Sequence, residues 1–187
     1  MGNLWTEDYK LKTWLRVELA VCEAQAELGY IPRQALEEIK AKANFDPERI
    51  LAIEAEVRHD VIAFLTNLNE YVGEAGRYIH LGMTSSDMLD TALSLQLIDS
   101  LQVILIHLEN LTQAIRYRAQ EHRDTVMIGR SHGIHAEPIT FGFKLAGWLA
   151  EMLRHRDRLT RLQDTVAVGK ISGAVGTYAN IDPQVEV

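Results

Sequence analysis

The sequence predicts an all-α protein built on long amphipathic helices. Two observations carry this: apolar residues recur at spacings of three and four along most of the 187-residue chain, and no alternating stretch of strand length interrupts them. A third sets the scale, because no glycine or proline occurs between Gly82 and Gly129. There is no internal repeat or low-complexity tract, and 47% apolar residues are enough to bury a core.

The elements follow in order. Thr6 caps a first helix whose opening turn carries Glu7 and Asp8, and the run continues through Trp14, Val17, Val21 and Ala24 to Gly29. A shorter helix is expected from Pro32 to Lys42. Asp46-Pro47-Glu48 then supplies a cap, a first-turn proline and an early acid. From there Ile50, Ile53, Val57, Val61, Phe64, Leu68 and Tyr71 mark one continuous buried stripe, ended by Gly73 and Gly76. His59 falls off that stripe, on what reads as a solvated helix face.

After Gly82 the spacing of Leu89, Leu93, Leu97, Leu101, Ile104, Leu108, Leu111 and Ile115 predicts one very long helix, or two nearly continuous ones. Val103 to Ile106 are apolar on every side, which calls for cover from several neighbours in a central bundle, shared between subunits. A third long helix is expected from about Pro138 to about Val166. A composition shift near residue 82 divides residues 1–82, a small helical domain carrying part of a site, from 83–187, an incomplete long-helix bundle domain. Asp182-Pro183 opens another helix four residues before Val187, so the chain reads as a fragment.

Composition narrows the function. A formal charge of -7 and a pI near 5.5 exclude broad nucleic-acid binding, while a small anionic ligand needs only local cations and amides. The single cysteine, Cys22, fits a reducing compartment and reads as a buried core residue. The N-terminus lacks the pattern of a signal peptide, and no run of 18 apolar residues occurs, so the protein reads as cytoplasmic with no membrane partner.

Four of the seven histidines stand in unusual settings: His59 in Arg58-His59-Asp60, His80 just before Gly82, and His132 and His135 in "GRSHGIHAEP". Gly129 and Gly133 bracket His132, leaving the imidazole free of a packed core and suited to proton transfer near neutral pH. His132 and His135 have no third ligand nearby, so neither a metal nor any other cofactor is expected. Thr84-Ser85-Ser86-Asp87 has the spacing of a capping box and reads first as a plain cap, with a seat for a carboxylate or phosphate at the same helix start as the alternative. Gly169 to Thr177 has the wrong order for a P-loop and reads as a flexible connector or an anion-facing loop.

In that order, "RHDVIAF", "HLGMTSSDMLDTA", "GRSHGIHAEPITFG" and "GKISGAVGTYANI" resemble the adenylosuccinate lyases of the fumarase and aspartase superfamily, over essentially the whole chain. The segment "SHGIHAEP" discriminates best from other branches. The resemblance implies elimination of fumarate from a nucleotide substrate, with His132 as the general acid that protonates the departing nitrogen. It makes Arg58, His59 and Asp60 one substrate-binding segment and Thr84 with Ser85 a second, and it places His59 and His80 beside His132 in the active site. His135 then braces the loop. It also implies a homotetramer whose sites draw on three subunits.

The family's signature loop, bearing a serine that resembles the base and a nearby lysine, would lie beyond Val187. The arginine and tyrosine that members carry near their start are missing before "NLWTED". Ser131 stands where threonine is commoner. The chain alone is therefore expected to be inactive. Two other readings are a lyase acting on argininosuccinate and a non-catalytic helical assembly domain.

Overall fold

A computed structural model describes all 187 residues. Six helices, α1 (Glu7–Glu27), α2 (Arg33–Lys42), α3 (Pro47–Val57), α4 (Asp60–Val72), α5 (Ser85–Glu121) and α6 (Phe141–Val166), are joined by short connections and one hairpin of β1 (Val126–Ser131) and β2 (Ile134–Thr140). The helical class stands. Two compact units divide the chain, residues 1–97 with 167–187, and residues 98–166.

In the first unit, the Thr6 hydroxyl accepts the Tyr9 N–H (3.3 Å) to start α1, and Asp46 accepts from Glu48 and Arg49 (3.0 and 3.3 Å) to start α3. Gly29, at φ 84, ends the turn after α1. The core gathers Trp14, Val17 and Val21 of α1, Ile50 and Ile53 of α3, Phe64 and Leu68 of α4, and Met88 and Ala92 of α5. Phe64 meets Trp14 edge to face at 5.4 Å between centroids, an arrangement that adds about 0.5–1.5 kcal/mol to simple burial.

The continuous helix expected from Pro47 to Tyr71 is broken. Arg58 takes a left-handed conformation (φ 57) that closes α3, and His59, extended at φ -153, caps α4. The apolar stripe passes across the break because both helices bury it in the same core, so periodicity alone carries no sign of the corner.

In the second unit the sequence expectation is corrected twice. A hairpin occupies residues 126–140, and Pro138, expected to open a helix, pairs with Ile128 in β2, so α6 starts at Phe141. The pairing shifts between Ile128 and Arg130: β2 carries the extra residue, Ala136 and Glu137 facing Gly129 alone, where a Cβ would lie 2.6 Å from the Glu137 carbonyl oxygen. A proline is tolerated because a two-stranded ribbon leaves each strand one free edge.

At the start of α6, the amides of Phe141 and Gly142 donate to the carbonyls of Thr125 and His122 (both 2.8 Å), and the His122 and Phe141 rings meet at 5.0 Å. A Cβ on Gly142 would fall 2.5 Å from the Ala119 carbonyl oxygen and 2.7 Å from Arg123 Cα, both main chain that cannot swing away. Gly142→Ala is accordingly expected to destabilise by about 1–3 kcal/mol, read as a lowered thermal midpoint.

The long helix α5 is one unbroken element of 37 residues. An 18-residue stretch of it is apolar enough in composition to cross a membrane, although no 18 apolar residues are consecutive. The buried polar residues Gln96, Ser100 and Thr112 punctuate it. Within this chain Ile104 and Ile106 are 38% and 62% exposed.

Candidate active site

Three of the four non-glycine residues with positive φ are residues singled out in the sequence: Arg58 (57), His80 (64) and His132 (53), the fourth being Tyr178 (55). A left-handed backbone costs such residues about 1–3 kcal/mol and persists where the surroundings hold it, a pattern common at functional sites.

The first corner joins α3 to α4. The Arg58 N–H donates to the Glu54 carbonyl (2.8 Å), while His59 Nδ1 accepts the Ile62 N–H at 3.4 Å and stands 3.4 Å from Asp60 Oδ1. Asp60 also accepts the Val61 N–H (2.8 Å). All three side chains are exposed, presented at a corner between helices and not on a solvated helix face. No hydrogen bond or ion pair joins this corner to His80 or Thr84.

His80 follows a 3₁₀ stretch (Gly73–Tyr78), and its Nδ1 lies 2.6 Å from Glu18 Oε1 on α1. Two residues on, Gly82 (φ 77) lets the chain pass so close to Asn180 that a Cβ would sit 2.2 Å from its carbonyl oxygen. The segment then enters α5. Of the expected capping box only the carboxylate half forms: Asp87 Oδ2 accepts the Thr84 N–H (3.0 Å), whereas the Asp87 N–H goes to the Thr84 carbonyl (3.0 Å). Thr84 and Ser85, both half-buried, keep their hydroxyls outside the cap.

Asp87 does more than cap. It is wholly buried, and it also accepts the amides of Ser172 (3.2 Å) and Gly173 (3.0 Å) and an ion-pair contact from the Lys170 ammonium. Burial pushes the Asp87 carboxyl up, but the bonds from Lys170, Thr84, Ser172 and Gly173 outweigh it and hold the pKa below the ordinary aspartate range. Thr91 Oγ1 adds a bond from the Lys170 amide (3.0 Å). The glycine-rich segment is therefore no flexible connector at residues 170–173: it is laid along the first turns of α5, with Ile171, Ser172 and Gly173 buried.

His132 belongs to the second unit. With Gly133 it forms the two-residue tip between β1 and β2, both at positive φ (53 and 75), as a type I′ turn requires. Its ring is exposed, and His135, one residue into β2, pairs with Arg130 across the ladder. His132 and His135 belong to no cluster of three or more potential metal ligands.

Sequence reasoning passed over Glu18, Gln25 and Lys170. The first two carried a readable signal. Leu11, Trp14, Glu18, Cys22 and Gln25 follow at three and four, so a glutamate and a glutamine occupy the buried stripe of α1. Lys170 carried none, since its partner is 83 residues away.

Comparison with known proteins places the chain in a family. A family model described as "Lyase" matches residues 1–187. The chain is 78% identical over 186 residues to an adenylosuccinate lyase of Synechocystis sp. and 49% identical to one of Bacillus subtilis, covering 100% of this chain and 43% of each relative. Among solved structures it is similar to a fumarate lyase from Mesorhizobium sp. BNC1 (TM-score 0.93, 36% identity, 99% of this chain and 45% of that one). It is also similar to the 3-carboxy-cis,cis-muconate lactonizing enzyme of Pseudomonas putida (TM-score 0.90, 34% identity, 96% and 42%). The chain thus spans less than half the length of the curated relatives it matches, and over all of its 187 residues it belongs to the lyase family.

Proposed function

We propose that this chain is part of an adenylosuccinate lyase, eliminating fumarate from adenylosuccinate to leave AMP, and from the succinylaminoimidazole carboxamide ribotide to leave the aminoimidazole carboxamide ribotide. The observation that carries this is the 78% identity to an adenylosuccinate lyase across the entire chain, motif segments included. A base takes the carbon-bound proton beside a carboxylate, the electron-rich carboxylate that results is held by donors, and the carbon–nitrogen bond then breaks. His132, free at its turn, delivers the proton to the departing nitrogen. Arg58, His59 and Asp60 at their corner and Thr84 with Ser85 at the start of α5 bind the anionic substrate, and His80 completes the set. The protein works in the cytoplasm and uses no cofactor.

A protein of the relatives' length carrying this segment is the sample for the test. Release of fumarate from adenylosuccinate but not from argininosuccinate supports the reading, and the reverse preference moves the protein to another branch of the superfamily. Self-association without turnover of either substrate leaves an assembly domain.

We propose further that the protein is a homotetramer with sites shared between subunits. Val103 to Ile106 make α5 apolar all round, and the exposure of Ile104 and Ile106 in the single chain asks for cover. Ile106→Glu is expected to shift sedimentation toward smaller species. A wild-type protein that sediments as a stable monomer would remove the proposal.

A further inference from the structure

One face of α1 is built to grip the segment that carries His80. Glu18, Cys22 and Gln25 follow at spacings of four and three and so share that face. The Cys22 thiol donates to the Tyr78 carbonyl (3.8 Å), Glu18 Oε1 meets His80 Nδ1 (2.6 Å), and the Gln25 amide donates to the Leu81 carbonyl (2.7 Å). Burial, with the charges of Glu18 and Glu23, pushes the Cys22 thiol up to about 12, so it stays a proton donor.

The two outer contacts already fix the path of the chain. The central one differs in its charge, since Gln25 Oε1 lacks a partner just as Glu18 Oε2 does. Glu18 is 1% exposed, and its Oε2 has no hydrogen-bond partner. A carboxylate held in this way is a poorer structural choice than an apolar residue or a glutamine of the same size. His80 is the open end of the pair, with 16% of its side chain exposed against 1% for Glu18, and it is held in the left-handed region. A buried acid behind a strained, partly open imidazole is an arrangement for aiming the ring.

We infer that Glu18 is a positioning residue for His80: its carboxylate accepts the Nδ1–H and fixes the ring so that Nε2 is the nitrogen left to meet the substrate. Which ring nitrogen is available is set by the hydrogen bond that the other one makes. With Nδ1 committed, Nε2 accepts from the substrate in the neutral ring and donates to it in the protonated one. This rests on the reading of His80 as an active-site residue.

The test uses a protein of the relatives' length, assayed on adenylosuccinate. Glu18→Leu, which leaves the His80 Nδ1–H without an acceptor, and His80→Gln are each expected to lower kcat/KM on the order of 10- to 100-fold, the size of effect that misplacing a reacting group produces. The double variant should be no worse than the poorer single one, because both changes remove one device. Glu18→Asp, which keeps the carboxylate, should recover part of the loss. A Glu18→Leu enzyme within about twofold of wild type, or losses that multiply in the double variant, would overturn the inference. A purely structural Glu18 would lower the melting temperature and multiply with His80→Gln. Nitrogen NMR of the wild-type histidine rings needs neither turnover nor a stable variant at residue 18: a proton on His80 Nδ1 is expected, and a bare Nδ1 rules the dyad out. Failure of the wild-type protein to act on adenylosuccinate overturns the proposed function instead, and the ring measurement still decides the dyad.

Discussion

Replacing His132 by glutamine in a protein of the relatives' length is expected to lower turnover by about 10²- to 10⁴-fold while changing substrate affinity only a few-fold, the contribution typical of a general acid. Glutamine offers a hydrogen bond but no transferable proton, so the nitrogen must leave as a poorer leaving group. The hairpin suggests a needed control. His132 sits at φ 53, a region that histidine and asparagine accept more readily than most residues, so glutamine also strains the turn. His132→Asn suits that backbone and equally lacks the proton. Similar losses in both variants assign the effect to proton transfer, whereas near-normal turnover in His132→Asn assigns it to the turn and removes His132 as the acid.

How far the sequence shows the fold depends on where the information lies. The starts of α1 and α3 are legible at Thr6 and Asp46 because a cap is a local bond between neighbours in the chain. That α5 is long is legible because no glycine or proline occurs from Met83 to Ile128, but its end at Glu121 is not marked. The Arg58–His59 corner is not, since no glycine or proline marks it and the left-handed Arg58 is held by helices packing on both sides. The hairpin is hidden for another reason. Gly129 and Pro138 spoil the alternation of a strand, and His132-Gly133 replaces the Asn-Gly that signals a type I′ turn. In the candidate site, the side chains themselves are readable but the ties that hold them are not. The ties from Glu18 to His80 and from Asp87 to Lys170 cross 62 and 83 residues, and periodicity has no access to such distances.

Asp87→Asn is expected to free the segment from Lys170 to Gly173 and to lower stability by about 3–5 kcal/mol, the range for breaking one side of a buried charged network. The estimate sits toward the lower end because the Lys170 side chain is 40% exposed and can rehydrate once unpaired. Buried amides are less forgiving. Those of Ser172 and Gly173 lose a charged acceptor, and an asparagine oxygen cannot serve them both with Thr84 and Lys170 as two carboxylate oxygens do. Hydrogen exchange gives the most direct reading: the Ser172 and Gly173 amides should exchange on the order of 100-fold faster in Asp87→Asn, with amides in the middle of α1 little changed. The pH dependence follows from the sign of the shift. Since the folded state lowers the pKa of Asp87, its stabilisation is fully present above the unfolded value of about 3.9 and is lost as pH falls from there through the lower folded value. The stability gap between wild type and Asp87→Asn should therefore be constant near neutrality and close only below about pH 4. A gap that closes between pH 6 and 8 would mean that the network depends on a group other than this carboxylate.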